Sequence, residues 1–178
     1  WSPLKTGYSG TKTQIIFGRS NFIIVGHKGI ILNSTNGMTW NKSFSGTKND
    51  LNFVIFSENR YVTVGKKGTI ITSMNGLDWN DISINVNYNI KKIVFTNNQY
   101  IILAIENNKS NLLKSNNLLQ WEKIDTDDNL KDLSFGNNKI LTISESNDIG
   151  IVSNTGLVKI TSLRNKRINQ LTFKDDFF

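Results

Sequence analysis

The fold is decided by residues 51–82, which read LNFVIFSENRYVTVGKKGTIITSMNGLDWNDI. The stretch opens with a short apolar run ending at Phe56, as expected of a buried strand. Two further segments rich in β-branched residues follow, and polar turn residues separate them. In segment 65–68, two glycines flank a pair of lysines, which predicts a tight hairpin. A fourth, alternating segment surrounds Trp79. Four short strands joined by three tight turns predict one antiparallel sheet.

The pattern returns along the chain at a nearly fixed interval. Phenylalanines 39, 39 and 40 residues apart stand at Phe17, Phe56, Phe95 and Phe135, and a tryptophan series stands at Trp1, Trp40, Trp79 and Trp121. A fixed period of this size indicates a repeat architecture. The repeats span approximately 12–47, 51–86, 90–125 and 130–162, and a fifth begins at 168–178.

The third and fourth repeats depart from the pattern. Extra residues around segment 106–109 are expected to lengthen the middle hairpin of the third repeat by three residues. In the fourth repeat, Lys159 replaces the tryptophan and Ile140 replaces the second aromatic residue. The chain starts within a fourth strand at Trp1 and stops within a fifth repeat at Phe178. We therefore expect an incomplete ring or a part of a larger one, with unpaired terminal strands through which chains could self-associate.

A longer motif connects these repeats to known proteins. The pattern V-G-x-x-G-x-I-x-x-S-x-N-G-x-x-W at Val25–Trp40 and Val64–Trp79 resembles the repeats of photosystem II assembly-factor-like β-propellers. It is also similar to the Asp-box repeat of sialidases, S-x-D-x-G-x-x-W. Asn36 and Asn75 replace the aspartate of that box, and one residue is missing before the glycine. The resemblance implies an all-β propeller in which each repeat forms one four-stranded blade, with tryptophan and phenylalanine packed between blades.

Composition limits the other possibilities. The chain has 178 residues, 38% of them hydrophobic, and no cysteine. This length suits one folded domain spanning 1–178, and disulfides and thiolate metal sites are excluded. No run approaches 18 apolar residues, so membrane insertion is not expected. The chain begins with Trp1 and shows no charged and apolar leader. We interpret it as a piece of a larger bacterial protein that is secreted or located at the cell surface.

Catalytic constellations are scarce in the sequence. The one histidine, His27, falls in a predicted turn, and a lone histidine supports neither a zinc site nor a catalytic triad. A sialidase needs several arginines converging on a carboxylate. The four arginines here, Arg19, Arg60, Arg164 and Arg167, fall on opposite rims of the predicted blades. We therefore predict no enzyme activity, no catalytic residue, no metal and no cofactor.

Charge gives the remaining lead, because the formal net charge is +7. In propellers the second-to-third-strand turns and the loops between blades emerge on one face. The basic residues predicted on that face are His27, Lys28, Lys66, Lys67 and Lys109 from turns, and Arg164, Lys166 and Arg167 from a loop. Such a cluster could attract an acidic partner, either a protein or a glycan on a cell surface. A lysine-rich solubilising surface is the alternative. Nucleic acid is not expected, because the aromatic residues are assigned to the core.

These observations favour a non-catalytic recognition module of a larger, exported bacterial protein. Such a module would direct a toxin, bacteriocin or phage-like particle to a receptor or cell surface. One alternative is an assembly or scaffold factor that binds another polypeptide. A second alternative is part of a sialidase-like glycoside hydrolase.

Overall fold

The computed structural model of the chain is built from four four-stranded antiparallel sheets. It describes residues 7–126, 129–137, 139–153, 156–162, 168, 170 and 171. Within these residues the only helical segments are two single turns of 3-10 helix. In each sheet, strands adjacent in sequence are adjacent in space, so every sheet is a simple meander. The all-β architecture and the four predicted blades are confirmed.

The strands of the first two blades have closely matching lengths. The first blade consists of β1 (Lys12–Gly18), β2 (Asn21–Gly26), β3 (Ile31–Ser34) and β4 (Asn41–Ser43). The second consists of β5 (Leu51–Ser57), β6 (Arg60–Gly65), β7 (Ile70–Ser73) and β8 (Asn80–Asp81). The outermost strands are only three and two residues long. Short edge strands limit pairing with other chains.

The third strands of the third and fourth blades are longer than those of the first two. The third blade consists of β9 (Asn89–Thr96), β10 (Gln99–Glu106), β11 (Lys109–Ser115) and β12 (Glu122–Ile124). The fourth consists of β13 (Leu130–Gly136), β14 (Lys139–Ser144), β15 (Asp148–Ser153) and β16 (Gly156–Ser162). The extra residues of the third repeat extend β10 and β11, which pair directly from Glu106↔Lys109 onward. Their turn contains only Asn107 and Asn108, both left-handed, as a tight hairpin requires.

The chain divides into two compact units, residues 1–93 and 94–178. In the first unit, Ile23, Val25 and Ile31 of the first blade pack against Val54 and other apolar residues of the second. The second unit has its own core around Ile101, Leu103 and Leu133. Both cores form where alternating apolar residues of one sheet meet those of the next.

A β-bulge recurs near the start of the first strand in three blades. The register shifts between Lys12 and Gln14, between Leu51 and Phe53, and between Leu130 and Asp132. In the first bulge, Thr13 Oγ1 donates to the Leu51 carbonyl of the next blade at 2.8 Å. The same hydroxyl lies 3.1 Å from the Val25 carbonyl of its own sheet, so the bulge brings one side chain into contact with both sheets.

The Ser-x-Asn motif forms a repeated hydrogen-bonded turn between the third and fourth strands. In the first blade, Ser34 Oγ accepts from the Gly37 N–H at 2.8 Å, and Asn36 Oδ1 accepts from the Met38 N–H at 2.9 Å. Trp40 closes the turn, because its Nε1 donates to the Gly37 carbonyl at 3.1 Å. The second and third blades repeat these bonds around Asn75 and Asn117. In the fourth repeat the motif overlaps residues 154 and 155, which lie outside the described part of the chain.

The predicted packing of the aromatic residues between blades is correct in one place and wrong in another. Phe56 packs on Gly18 of the preceding blade, where a Cβ would collide with its ring. Phe17, the equivalent of Phe56 in the first blade, is 58% exposed. The difference arises because blade one covers this face of blade two, whereas no described blade covers the equivalent face of blade one. Trp1, Phe173 and Phe178 lie outside the described residues.

Candidate functional site

Two basic turns connect the second and third strands of the first two blades. They are His27–Gly29 and Lys66–Gly68, and each forms one turn of 3-10 helix rather than a two-residue hairpin. Lys28 and Lys67 occupy the tips with left-handed φ angles of 55° and 56°. Lysine rarely adopts this conformation, which favours glycine and asparagine. Both side chains are exposed. The turns therefore hold two ammonium groups in solvent.

Asp50, which precedes β5, joins these two turns. Its Oδ1 accepts a hydrogen bond from the Lys28 backbone N–H at 2.9 Å, and its Oδ2 lies 2.8 Å from Lys66 Nζ. Its backbone carbonyl also accepts from the Lys66 N–H at 2.9 Å. One carboxylate therefore holds together the basic turns of two adjacent blades and neutralises one of their charges.

The surroundings of Asp50 keep this carboxylate ionised. The hydrogen bond from the Lys66 side chain, followed by the one from the Lys28 backbone, holds the pKa of Asp50 below its usual range. The Lys66 ammonium is thus occupied. Within the described part of the chain, the ammonium groups of Lys28 and Lys67 form no ion pair. The exposed ammonium groups of Lys28 and Lys67 are therefore available to a ligand.

The first repeat has no acidic residue at the place of Asp50. Thr11 occupies it, and the Thr11 carbonyl accepts from the His27 N–H at 2.9 Å as the Asp50 carbonyl does from Lys66. Asn129 occupies the same place in the fourth repeat, where it accepts from the Glu145 N–H at 2.8 Å. The first repeat therefore supplies no carboxylate at this place to its own basic turn.

A depression of about 420 Å³ opens beside this turn. None of its described lining residues is acidic, and Ile30 is the one large apolar residue among them: Ser9, Gly10, Thr11, His27, Lys28, Ile30 and Lys42. This volume lies within the range of small-ligand sites, although three of the lining side chains are basic. We call the surface formed by His27, Lys28, Lys42, Lys66 and Lys67 the basic turn surface.

An exposed aromatic residue lies near the basic turn surface. Phe44 follows β4 and is 87% exposed. The connecting loop that contains it packs against the first basic turn, because a Cβ on Gly29 would collide with the Thr47 carbonyl. The expectation that the aromatic residues belong to the core is therefore wrong for Phe44, as it is for Phe17.

The remaining predicted binding residues lie in the second compact unit or outside the described residues. Lys109 is exposed at the corresponding turn of the third blade, in the second compact unit. Asn129 holds that turn by accepting from the Ser110 N–H at 2.9 Å and donating to the Asn108 carbonyl at 3.2 Å. Arg164, Lys166 and Arg167 lie outside the described residues.

Sequence reasoning missed three residues of the site. Asp50 lies between two repeats, and only its contacts reveal its role. Lys42 follows Trp40 in an edge strand and resembles many other surface lysines. Phe44 did carry a signal, because it stands outside the 39-residue series, and its counterpart in the next repeat is Ser83. An aromatic residue that the repeat does not require is a candidate for binding.

Side chains that could ligate a metal do not cluster in the described residues. Among them, no group of three or more His, Cys, Asp or Glu side chains could hold a metal ion. Arg19 donates to the Met74 carbonyl at 3.1 Å. Both residues lie in turns at the end of the blades opposite the two basic turns. No described helix has the length and apolar character needed to cross a membrane.

Comparison with known proteins identifies the fold through structure alone. No protein-family model matches the chain, and no curated protein matches it in sequence. Among solved structures it is similar to YCF48 bound to D1 peptide, with 15% identity and a TM-score of 0.72 over 95% of this chain and 59% of that one. It is also similar to virginiamycin B lyase from Staphylococcus aureus, with 12% identity and a TM-score of 0.72 over 86% of this chain and 56% of that one.

A designed protein, Ika8, is a third structural neighbour. It shares 13% identity and a TM-score of 0.64 over 93% of this chain and 53% of that one. The chain thus spans little more than half the length of each of these proteins. The similarity of the Ser-x-Asn turn to the sialidase Asp-box stays a prediction. The chain has the β-propeller fold, which a peptide-bound protein, a lyase and a designed protein share, so its function has to be argued from its surface.

Proposed function

We propose that the chain is a non-catalytic recognition module that binds an acidic polypeptide through the basic turn surface. The observation that carries the proposal is the pair of exposed lysines at the turn tips, Lys28 and Lys67. Lys28 also lines a depression whose described lining is free of acidic residues. Unpaired ammonium groups on a rigid support attract carboxylates and speed association with an acidic partner.

Rigidity of the surface also supports binding. The two basic turns are fixed to each other through Asp50, and the first is fixed to β1 through Thr11. Side chains presented on pre-ordered turns lose little conformational entropy when a ligand binds. One structural neighbour, YCF48, is bound to a D1 peptide, which is consistent with polypeptide recognition on this fold.

We further propose that the module belongs to a larger, exported bacterial protein and directs it to a receptor at a cell surface. Lys109, Arg164, Lys166 and Arg167 would add contacts in this setting. The proposal is checked by labelling the chain and measuring its binding to intact bacterial cells before and after protease treatment of the cells. Binding that survives protease but is lost after removal of surface glycans would contradict a polypeptide receptor.

Charge reversal tests the basic turn surface directly. Changing Lys28→Glu together with Lys67→Glu should weaken binding to an acidic partner and reduce the salt dependence of the association rate. The probe is a fluorescein-labelled poly-glutamate peptide, whose binding is followed by fluorescence anisotropy. The salt concentration is varied from about 50 to about 300 mM, a range over which the screening of exposed charges increases.

The matched control is Lys123→Glu with Lys139→Glu. Both residues are exposed strand lysines, so the net charge of the protein changes equally. Equal loss of binding in the two double variants would show that only the net charge matters, and the basic turn surface would then not be the site.

A further inference from the structure

We infer that the basic turn surface recognises one sequence pattern, an acidic residue two positions from an apolar residue in an extended polypeptide. The inference rests on the proposed function and adds a subsite to it. That subsite is formed by Phe44, and the acidic residue is bound at the neighbouring depression.

The exposure of Phe44 is built into the local structure. Ser43 and Ser45, on either side of it, are each 6% exposed, whereas Phe44 is 87% exposed. Ser43 Oγ donates to the Gly76 carbonyl at 3.0 Å, and Ser45 Oγ donates to the Thr47 carbonyl at 3.1 Å. These hydrogen bonds hold both serine side chains toward the protein interior, so the side chain between them points to solvent.

The loop after Phe44 is equally well held. The Asn49 N–H donates to Thr47 Oγ1 at 3.1 Å, and Asn49 Nδ2 donates to Thr69 Oγ1 at 2.9 Å. Phe44 is thus presented on an ordered support. A large apolar side chain held in water gains free energy when a ligand covers it.

Lys42 and Phe44 are spaced as a binding pair. Lys42, Ser43, Phe44 and Ser45 alternate as exposed, buried, exposed and buried. This alternation continues the side-chain pattern of β4 beyond its end at Ser43. It puts Lys42 and Phe44 on one side of the segment, roughly 7 Å apart at the rise of an extended chain. Lys42 also lines the depression together with His27 and Lys28. An extended ligand repeats its side chains at the same spacing, so a carboxylate over Lys42 places an apolar residue two positions away over Phe44.

A polypeptide fits this surface better than a nucleic acid. Single-stranded nucleic acids are held by a continuous basic groove that follows the phosphates, with aromatic residues stacking on successive bases. Here Asp50 lies between the basic turns of the two blades and pairs with Lys66, which interrupts any such groove. Separate carboxylates do not need a continuous basic groove.

Three synthetic 12-residue peptides labelled with fluorescein test the inference. In the first, aspartate and leucine recur two positions apart. In the second, the same residues are separated into an acidic block and an apolar block. In the third, serine replaces leucine. We expect the wild-type protein to bind the first peptide about tenfold more tightly than the third, since covering one aromatic side chain supplies a contact of that size. Binding of the second should resemble binding of the third.

Variants assign the effect to residues. Phe44→Ala should abolish the preference for the first peptide and leave binding of the third unchanged. Lys42→Gln should weaken binding of all three peptides. Lys48→Gln is the matched control, because Lys48 is an exposed lysine of the same loop that does not line the depression. Since Phe44 is exposed, its variant should fold normally, which thermal melting followed by circular dichroism verifies.

The same measurements define the outcomes that would overturn the inference. One is equal wild-type affinity for the first and second peptides, or a preference that persists in the Phe44→Ala variant. The other is tighter binding of a 20-nucleotide oligothymidylate than of any peptide, which would make the ligand a nucleic acid. If the third peptide binds and depends on Lys28 and Lys67 but the pattern has no effect, the proposed function stands and the inference fails. If no acidic peptide binds, both fail.

Discussion

Three equivalent turn residues show how one backbone conformation can have different side-chain surroundings. Gly37, Gly76 and Leu118 follow the Ser-x-Asn motif in successive repeats and have φ angles of 71°, 76° and 66°. Glycine adopts this left-handed region freely, whereas Leu118 is a non-glycine residue that must be held in it. Leu118 is also buried, so its side chain contributes packing that compensates for the backbone conformation.

The two glycines allow backbone strain to be separated from packing. Gly37→Ala should lower the free energy of unfolding by about 1 kcal/mol, because the added Cβ has space and only the left-handed conformation is penalised. Gly76→Ala should lower it by roughly 1–3 kcal/mol more, because its Cβ would lie 2.7 Å from Ile23 Cδ1 of the neighbouring blade. Urea unfolding of both variants measures the difference. Equal losses would contradict the predicted collision.

Asp148 in the second unit provides a test by pH. A hydrogen bond from Lys159 at 2.7 Å, with others from Ser162 and Ser146, holds the pKa of Asp148 well below its usual range. A carboxyl group with a lowered folded-state pKa stabilises the protein above its unfolded pKa of about 4 and loses that contribution as pH falls through the folded pKa. We therefore expect stability to decline progressively below about pH 4.

The variant Asp148→Asn isolates this effect. It should be less stable than the wild type at pH 7, because Lys159 loses its ionised partner, and the two proteins should converge as the pH falls. Asp50→Asn is the comparison, since the pKa of Asp50 is also lowered but the group is more exposed. Parallel stability curves for wild type and Asp148→Asn between pH 7 and about pH 3 would show that Asp148 does not titrate as proposed.

At the scale of the element, the first strands of the first two blades are equivalent in sequence and different in environment. Val54 on β5 is fully buried and Phe56 is partly buried against the preceding blade. Their counterparts on β1, Ile15 and Phe17, are 53% and 58% exposed. The same local pattern thus gives two outcomes according to what covers the sheet.

Truncating the two phenylalanines measures this difference. Phe56→Ala should lower the free energy of unfolding by about 2–4 kcal/mol, because it removes a ring packed on Gly18 and leaves a cavity. Phe17→Ala should lower it by less than about 1 kcal/mol, since its main described aromatic contact is with Phe22 at 4.7 Å. Urea unfolding provides the measurement. A similar loss in both variants would mean that Phe17 is covered in solution.

At the scale of the whole molecule, the exposed face of β1 bears on the prediction of self-association. The terminal strands that motivated this prediction lie outside the described residues. Ile15 and Phe17 provide a separate physical reason, because adjacent exposed apolar side chains promote association. The average mass from light scattering should therefore rise with concentration, and Ile15→Ser with Phe17→Ser should suppress the rise. A monomer at all concentrations would contradict the prediction.

Much of the fold could be predicted from the sequence because its determinants are local. The alternation of residues 51–56, the glycines of segment 65–68 and the recurrence of Asn36 and Asn75 each reflect hydrogen bonds or side-chain directions within a few residues. Because this pattern repeats at a fixed interval, the prediction of one sheet extends to four. The longer middle hairpin of the third repeat could also be predicted, because its extra residues extend two strands that are adjacent in the chain, β10 and β11.

The candidate site depended on contacts that no local pattern contains. The four-stranded repeats and the basic turns could be predicted from the sequence, since they depend on residues close together in the chain. The tertiary structure was needed to show that Asp50 pairs with Lys66, whereas Lys28 and Lys67 form no ion pair with the described residues. It was also needed to show that Phe44 faces solvent, two residues after Lys42. The physical reason is that charge pairing and exposure depend on which residues of other repeats approach, and a repeat period does not specify which side chains those repeats carry.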